Sequence, residues 1–211
     1  MLRGVILDYG GVLSLEPSEE ALERLRILCG FDGDAFAAAW LKHRRGYDLG
    51  ELNGADYWRL VGGEGGRTYE GELFERVLAA DLDSWSVENP PMVAWLRELK
   101  QKGLRLALLS NMPREHWPEL SARHDWIRLF DHVTVSYELG LAKPDEAIYR
   151  HALEPLGTEP GETLFVDDRQ ENVDAAAALG LQAVRYAGVE RLREELAERF
   201  GDGLPLPAPP R

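Results

Sequence analysis

The sequence holds a single cysteine, Cys29, so no internal disulfide can form and the core alone must hold the fold. Long apolar runs are also missing. Stretches such as Val5–Leu7 and Leu106–Leu109 fall far short of the roughly 20 residues that a membrane-spanning helix needs. An acidic residue, Asp8, arrives before any signal-peptide core can build up. These absences predict a soluble protein of the cytoplasm. Basic residues are scarce: 24 against 37 acidic ones give a formal charge of −13, which repels nucleic acid and anionic membrane. The one compact basic cluster, Lys42-His43-Arg44-Arg45, reads either as a solvated helix end or as part of a functional surface. The glycine run Gly62–Gly66 has neither G-x-G-x-x-G spacing nor a G-K-[ST], so it reads as a flexible break that binds no dinucleotide or P-loop phosphate.

The remaining composition, 45% apolar and 29% charged over 211 residues, is that of one globular unit with room for a modest insertion. Apolar runs ending in polar residues recur at Gly4–Asp8, Leu104–Ser110, His132–Ser136, Thr163–Asp167 and Leu181–Tyr186. Their lack of alternation indicates strands covered on both faces. Helical patterns separate them at Pro90–Lys102, Arg114–His124, Asp145–Leu156 and Glu171–Leu179, the last stopped by Gly180. Strand alternating with helix predicts an α/β fold with a doubly wound parallel sheet.

About 80 residues after the first strand carry no strand pattern. Helices are expected near Ala21–Leu28, at Asp34–Arg45, Ala55–Leu60 and Tyr69–Ala80, forming an inserted helical subdomain. The chain thus divides into a core of residues 1–14 and 86–200, a helical insertion of 15–85, and an extended tail, 201–211. With four prolines, the tail reads as a surface segment that contributes little.

Ligands of open α/β sheets bind beyond the carboxyl ends of the strands. The candidates there are Asp8, Ser110-Asn111 and Asp167-Asp168, with Lys143 on the loop after the third strand. Asp8 precedes Gly10-Gly11, which let the backbone approach a ligand closely. Adjacent carboxylates at Asp167-Asp168 repel each other unless a cation lies between them, and an oxygen-lined magnesium site relieves that repulsion. Singly, Asp8 could be a turn former, Ser110-Asn111 a helix cap, and Lys143 a surface residue ahead of a helix with Pro144 in its first turn. Together they describe one site for a metal-bound phosphate.

The ordered segments LDYGGVL, LLSN, GLAKPD and FVDDRQEN resemble the four signatures of the haloacid dehalogenase-like superfamily, over residues 3–190. The insertion is similar to the cap of the subfamily that carries it between signatures one and two, as in sugar-1-phosphatase-type members. The resemblance implies a magnesium-dependent phosphatase acting on a small phosphate ester, a sugar phosphate among the candidates. Asp8 would be the nucleophile, Ser110 and Asn111 would hold the phosphoryl group, and Lys143 would balance charge. Asp8, the Gly10 carbonyl and Asp168 would bind Mg2+, with Asp167 supporting the site. An aspartyl phosphate would form and be hydrolysed.

The sequence departs from the pattern at Gly10, where the family's phosphatases carry a second aspartate as general acid and base. Losing such a group typically costs about 10²- to 10⁴-fold. Esters with less basic leaving groups, such as sugar 1-phosphates, acyl phosphates and aryl phosphates, would suffer least. Two other readings remain at this level: a catalytically impaired phosphate-binding or regulatory protein, and a 2-haloacid dehalogenase, although dehalogenases usually have tyrosine at the Gly10 position. In the insertion, His43, Arg44, Arg45 and Tyr47 are candidates to contact the leaving group, with Asn53 and Trp58 behind them and His43 as a stand-in acid. Trp40 and Trp58 read as its core, and His116 and Trp117 as pocket rim or surface helix. The oligomeric state is not legible.

Overall fold

The computed structural model describes residues 1–33 and 35–209. Five parallel strands, β1 (Gly4–Leu7), β2 (Arg105–Ser110), β3 (His132–Val135), β4 (Thr163–Asp167) and β5 (Gln182–Arg185), form one sheet in the order β3-β2-β1-β4-β5. Leu7 lies level with Leu108 and Val166 of its two neighbours, so the strands that carry Asp8, Ser110 and Asp167 end side by side. The chain winds outward from β1 to β3 and then returns to β4 on the other side. That reversal at β1 opens the crevice in which such sheets bind ligands.

Both faces of the sheet are apolar because helices cover both. Val5, Leu7, Leu106, Leu108, Leu164 and Val166 pack in one cluster, whereas Ile6, Ala107, Leu109 and Phe165 join a second on the opposite face. Period-two alternation between two buried faces reads in sequence as one uninterrupted apolar run.

The helices are α1 (Glu19–Cys29), α2 (Ala35–Lys42), α3 (Arg44–Asp48), α4 (Gly54–Glu64), α5 (Gly71–Ser84), α6 (Pro90–Gln101), α7 (His116–Arg123), α8 (Ser136–Leu139), α9 (Glu146–Leu153), α10 (Gln170–Ala178) and α11 (Val189–Phe200). None is long and apolar enough to cross a membrane among the described residues. Helices α1, α2, α4 and α5, with Tyr47 of α3, share a cluster of their own that includes Leu25, Phe36, Trp40, Tyr57, Trp58 and Val77. Ser18 caps α1 through its hydroxyl, which accepts from Ala21 N–H, and Gly30 ends it at φ 72°.

Several expectations need correction. The expected helix over 34–45 stops at Lys42 and restarts as α3, and its first residue, Asp34, lies outside the described residues. The glycine run is only partly a break, because α4 continues through Gly62 and Gly63. Gly62 is required there by close packing: a Cβ would lie 2.6 Å from the Arg67 carbonyl oxygen. Pro144 precedes α9 instead of opening it, since Asp145 is the N-cap. The tail is not a loose surface strap. Leu204 is buried, and the Pro205 carbonyl accepts a 2.6 Å hydrogen bond from Trp95 Nε1. Residues 210 and 211 lie outside the described residues. Helix α11, for which the sequence pattern offered no separate expectation, buries Leu192 and Leu196 in the same cluster as Leu204.

Candidate active site

Asp8 leaves β1 with its own backbone N–H bonded to the Val166 carbonyl, which ties it to the end of β4. One carboxylate oxygen accepts from Tyr9 N–H at 2.7 Å. Gly11 then turns the chain at φ 71°, and a Cβ there would lie 3.0 Å from the Asp168 carboxylate. Both its backbone conformation and the room it leaves for Asp168 demand glycine.

The loop after α8 brings Lys143 to the carboxyl ends of β1, β2 and β4. Its ammonium lies 2.8 Å from Asp8 Oδ1 and 2.7 Å from Asp167 Oδ2, and donates to the Leu109 carbonyl at 3.0 Å. That loop is held by Asn111: its Oδ1 accepts from Lys143 N–H at 2.8 Å and its Nδ2 donates to the Lys143 carbonyl at 3.0 Å. The Asn111 side chain is therefore committed to positioning the lysine, leaving its backbone N–H and the Ser110 hydroxyl as the groups available to an anion. Asp167 is likewise saturated. Oδ2 faces Lys143, and Oδ1 accepts from Arg169 N–H and Asn172 Nδ2, both at 2.9 Å.

Ligand oxygens of Asp8, Asp167 and Asp168 all lie within 4.8 Å of one another. Three carboxylates face one ammonium, so two negative charges are unbalanced in a buried site. Burial raises Asp8 well above the ordinary carboxylate range, Lys143 only partly offsets this, and the charges of Asp167 and Asp168 add to it. Asp168 is pushed up to about 6 by burial and by Asp167. Burial also opposes the charge of Asp167, yet Lys143, Arg169 N–H and Asn172 hold it below its usual range. Lys143 is raised despite its burial by the two aspartates. Two carboxylates that resist ionisation beside one that does not, sharing the single ammonium of Lys143, form a donor set that fits a hard divalent ion.

Asp8, Gly10, Ser110, Asn111, Lys143 and Asp168 line one cavity of about 200 Å3. The structure brings all the predicted site residues together there except Asp167, which lies beneath. The insertion closes the cavity from above with Trp40 and Leu41 of α2, Arg44 and Asp48 of α3, and Trp85 just after α5. Of the other insertion candidates, none reaches it. His43 is paired with Glu64 at 3.3 Å, Arg45 with Asp145 at 3.3 Å, and Asn53 caps α4 by accepting from Asp56 N–H. Tyr47 and Trp58 are wholly buried in the insertion's own core, which leaves no place for His43 as a replacement acid. Trp40 serves both as core and as cavity wall. His116 lines the cavity, whereas Trp117 packs against the main core.

Residues that the sequence did not single out complete the wall. A Cβ on Gly10 would lie 3.2 Å from the Trp85 ring, so this indole fills the space next to Gly10. Tyr9 fixes it there by donating its hydroxyl to the Trp85 carbonyl at 3.1 Å. Asp81, fully buried on α5, receives Trp40 Nε1 at 3.1 Å and pairs with His116 Nε2 at 3.1 Å, which ties α2 and α5 to α7. A buried aspartate on an amphipathic helix carries no sequence mark that separates it from a solvated one, so only the fold identifies it.

Parallel strands bring a carboxylate, a lysine and an acidic cluster to one crevice at their carboxyl ends. The chain belongs to the haloacid dehalogenase-like hydrolase family, whose model matches residues 2–180. It is 40% identical over 90 residues to the sesquiterpene phosphatase astK of Aspergillus oryzae, covering 43% of this chain and 46% of that one. Similarity to the drimenol cyclase drtB of Aspergillus calidoustus is 32% over 217 residues, 95% of this chain and 37% of the relative. The chain thus spans less than half the length of either. The wild-type enzyme of this family BT-2542 from Bacteroides thetaiotaomicron, solved in complex with magnesium and inorganic phosphate, shares the fold with a TM-score of 0.71 at 21% identity, covering 89% and 96% of the two chains.

Proposed function

We propose that this protein is a magnesium-dependent phosphatase that hydrolyses a small phosphate ester through an aspartyl phosphate on Asp8. The observation that carries this reading is the buried cluster of three aspartates around a single lysine, two negative charges in excess, at the carboxyl ends of β1 and β4. The phosphatase name of the Aspergillus oryzae relative supports it. Asp8 and Asp168, with the Gly10 carbonyl, would hold Mg2+, which supplies positive charge to the phosphoryl oxygens and to the ionised nucleophile.

Lys143 orients Asp8 by its 2.8 Å contact and keeps it ionised when the excess charge is neutralised. The free Asp8 oxygen attacks phosphorus, a P–O bond forms, and the bond to the alcohol oxygen breaks in line with it. The Ser110 hydroxyl and the Asn111 backbone N–H are placed to donate to the phosphoryl oxygens as their charge redistributes. No side chain at position 10 can protonate the departing oxygen, so its proton comes from water. Water then cleaves the aspartyl phosphate, releasing inorganic phosphate and restoring Asp8. Sugar 1-phosphates, acyl phosphates and aryl phosphates depart most readily under these conditions, because their leaving oxygens are less basic than ordinary alkoxides.

Hydrolysis of p-nitrophenyl phosphate tests the reading, since its leaving group needs no acid. Turnover with magnesium is expected, with loss on chelation and on Asp8→Asn. Retained magnesium and phosphate binding without turnover would instead identify a binding protein, and metal-independent release of halide from a 2-haloacid would identify a dehalogenase.

A further inference from the structure

Besides Lys143 and Asp168, the cavity presents a broad apolar surface. Trp40, Trp85, Met112 and Leu120 contribute it, and Leu41 stands at its mouth with 62% of its surface exposed. Polar groups also line the cavity, and Arg44, Asp48 and His116 are partly engaged with their neighbours. Arg44 Nε donates to Asp48 Oδ1 at 2.9 Å, and its Nη1 lies 3.8 Å from Asp81. Burial opposes its charge, and the two aspartates more than offset that. The guanidinium is further enclosed by the rings of Trp40, Tyr47 and Trp85, each with its centroid within 5.8 Å. His116 is engaged with Asp81. Arg44 Nη1 and Trp85 Nε1 are buried without a hydrogen-bond partner.

A polyhydroxylated leaving group needs donors and acceptors free to receive it, because each buried hydroxyl left unpaired costs about 1–3 kcal/mol. The side chains of Trp40, Trp85, Met112, Leu120 and Leu41 present mainly carbon and offer few such groups. An apolar leaving group loses nothing here and gains from burial against two indoles, at roughly 25 cal/mol per Å2. The volume is small against the roughly 300–1,000 Å3 of ordinary ligand pockets, which restricts the group to a compact one. An exposed leucine at the mouth extends the apolar path outward.

We infer that the substrate is the phosphate monoester of a compact apolar alcohol, aromatic or branched aliphatic, whose carbon skeleton packs between Trp85 and Leu41. This rests on the phosphatase reading and narrows it away from sugar phosphates.

The test compares kcat/KM of the magnesium-loaded enzyme for benzyl phosphate, 3-methylbutyl phosphate, glycerol 3-phosphate and glucose 1-phosphate, with acetyl phosphate as the reference. Benzyl and 3-methylbutyl alcohols are no more acidic than glycerol and less acidic than an anomeric hydroxyl, so leaving-group chemistry alone predicts the opposite order. The expected result is a preference of about 10-fold or more for the two apolar esters over both polar ones, the scale that apolar complementarity supplies. Leu41→Asp, at an exposed position that does not carry the fold, is expected to lower the benzyl-to-acetyl phosphate ratio by about 10-fold. Turnover of acetyl phosphate with glucose 1-phosphate or glycerol 3-phosphate preferred, or a ratio unmoved by Leu41→Asp, overturns the inference and leaves the phosphatase reading standing. No turnover of any ester, acetyl phosphate included, overturns both.

Discussion

At the scale of single residues, the site turns on a small residue beside a large one. Gly10 has φ −69° and ψ 132°, a conformation open to any L-residue, so its backbone does not explain the absence of a side chain. The Trp85 ring stands 3.2 Å from where its Cβ would be, so any side chain there requires the indole to give by a few tenths of an ångström. Gly10→Asp alone is therefore expected to leave glycerol phosphate hydrolysis unchanged or lower. Gly10→Asp combined with Trp85→Ala should exceed Trp85→Ala alone by up to about 10²-fold, the lower end of what a general acid supplies. Steady-state rates of the three variants check this, and an equal gain in Gly10→Asp alone would show that Trp85 is not the obstacle. The Asn111 amide shapes the Lys143 loop through two backbone hydrogen bonds, which leaves its backbone N–H as the group that would meet a bound phosphate.

At the scale of elements, connections between units carry stability that their sequences conceal. The tail after α11 places Leu204 in the main core and offers the Pro205 carbonyl to Trp95, which is itself wholly buried. Ending the chain after Gly203 removes a buried leucine and leaves an indole N–H without its acceptor. The expected loss is roughly 2–5 kcal/mol, from apolar burial and the orphaned donor together. Denaturant unfolding measures it, and an unchanged midpoint would return the tail to the status of a loose strap. Between the insertion and the sheet, the Asp81–His116 pair and the Glu115 carboxylate, which accepts from Gly54 N–H at 2.6 Å, bind α4 and α5 to the segment around α7. The insertion therefore forms the cavity wall through defined polar ties as well as through apolar contact.

At the scale of the whole molecule, the clustered carboxylates link proton binding to the magnesium binding proposed for the site. An ordinary aspartate titrates near 4, whereas Asp168 in the folded, metal-free protein is raised to about 6. Between those values the folded state holds the proton more tightly than the unfolded state does. Stability of the metal-free protein should thus fall as pH rises through that window, with Asp8 acting in the same sense. Magnesium needs the ionised carboxylates, so its stabilising effect grows over the same range. Thermal unfolding with and without millimolar magnesium should show a small shift at about pH 5 and a larger one at about pH 7.5. A shift independent of pH would place the ion elsewhere.

Much of this architecture was legible in the residue pattern because it depends on local and periodic constraints. Uninterrupted apolar runs such as Leu106–Leu109 mark strands buried on both faces, and a polar residue closing each run marks the rim where ligands bind. Asp8, Ser110, Lys143 and the Asp167-Asp168 pair were visible for that reason, as was the gap at Gly10. Which carboxylate stays free, which asparagine serves as a clamp, and which insertion residues reach the cavity depend on distances between segments far apart in the chain. His43, attractive by residue type, is turned to Glu64, whereas Trp85 and Asp81, which carry no motif, form the wall and its support. The sequence by itself determined the sheet and the chemistry at its edge. Only the tertiary structure decided what faces the residues at that edge, because side chains of α2, α3 and α7 and Trp85 meet over Asp8 through contacts between segments far apart in the chain.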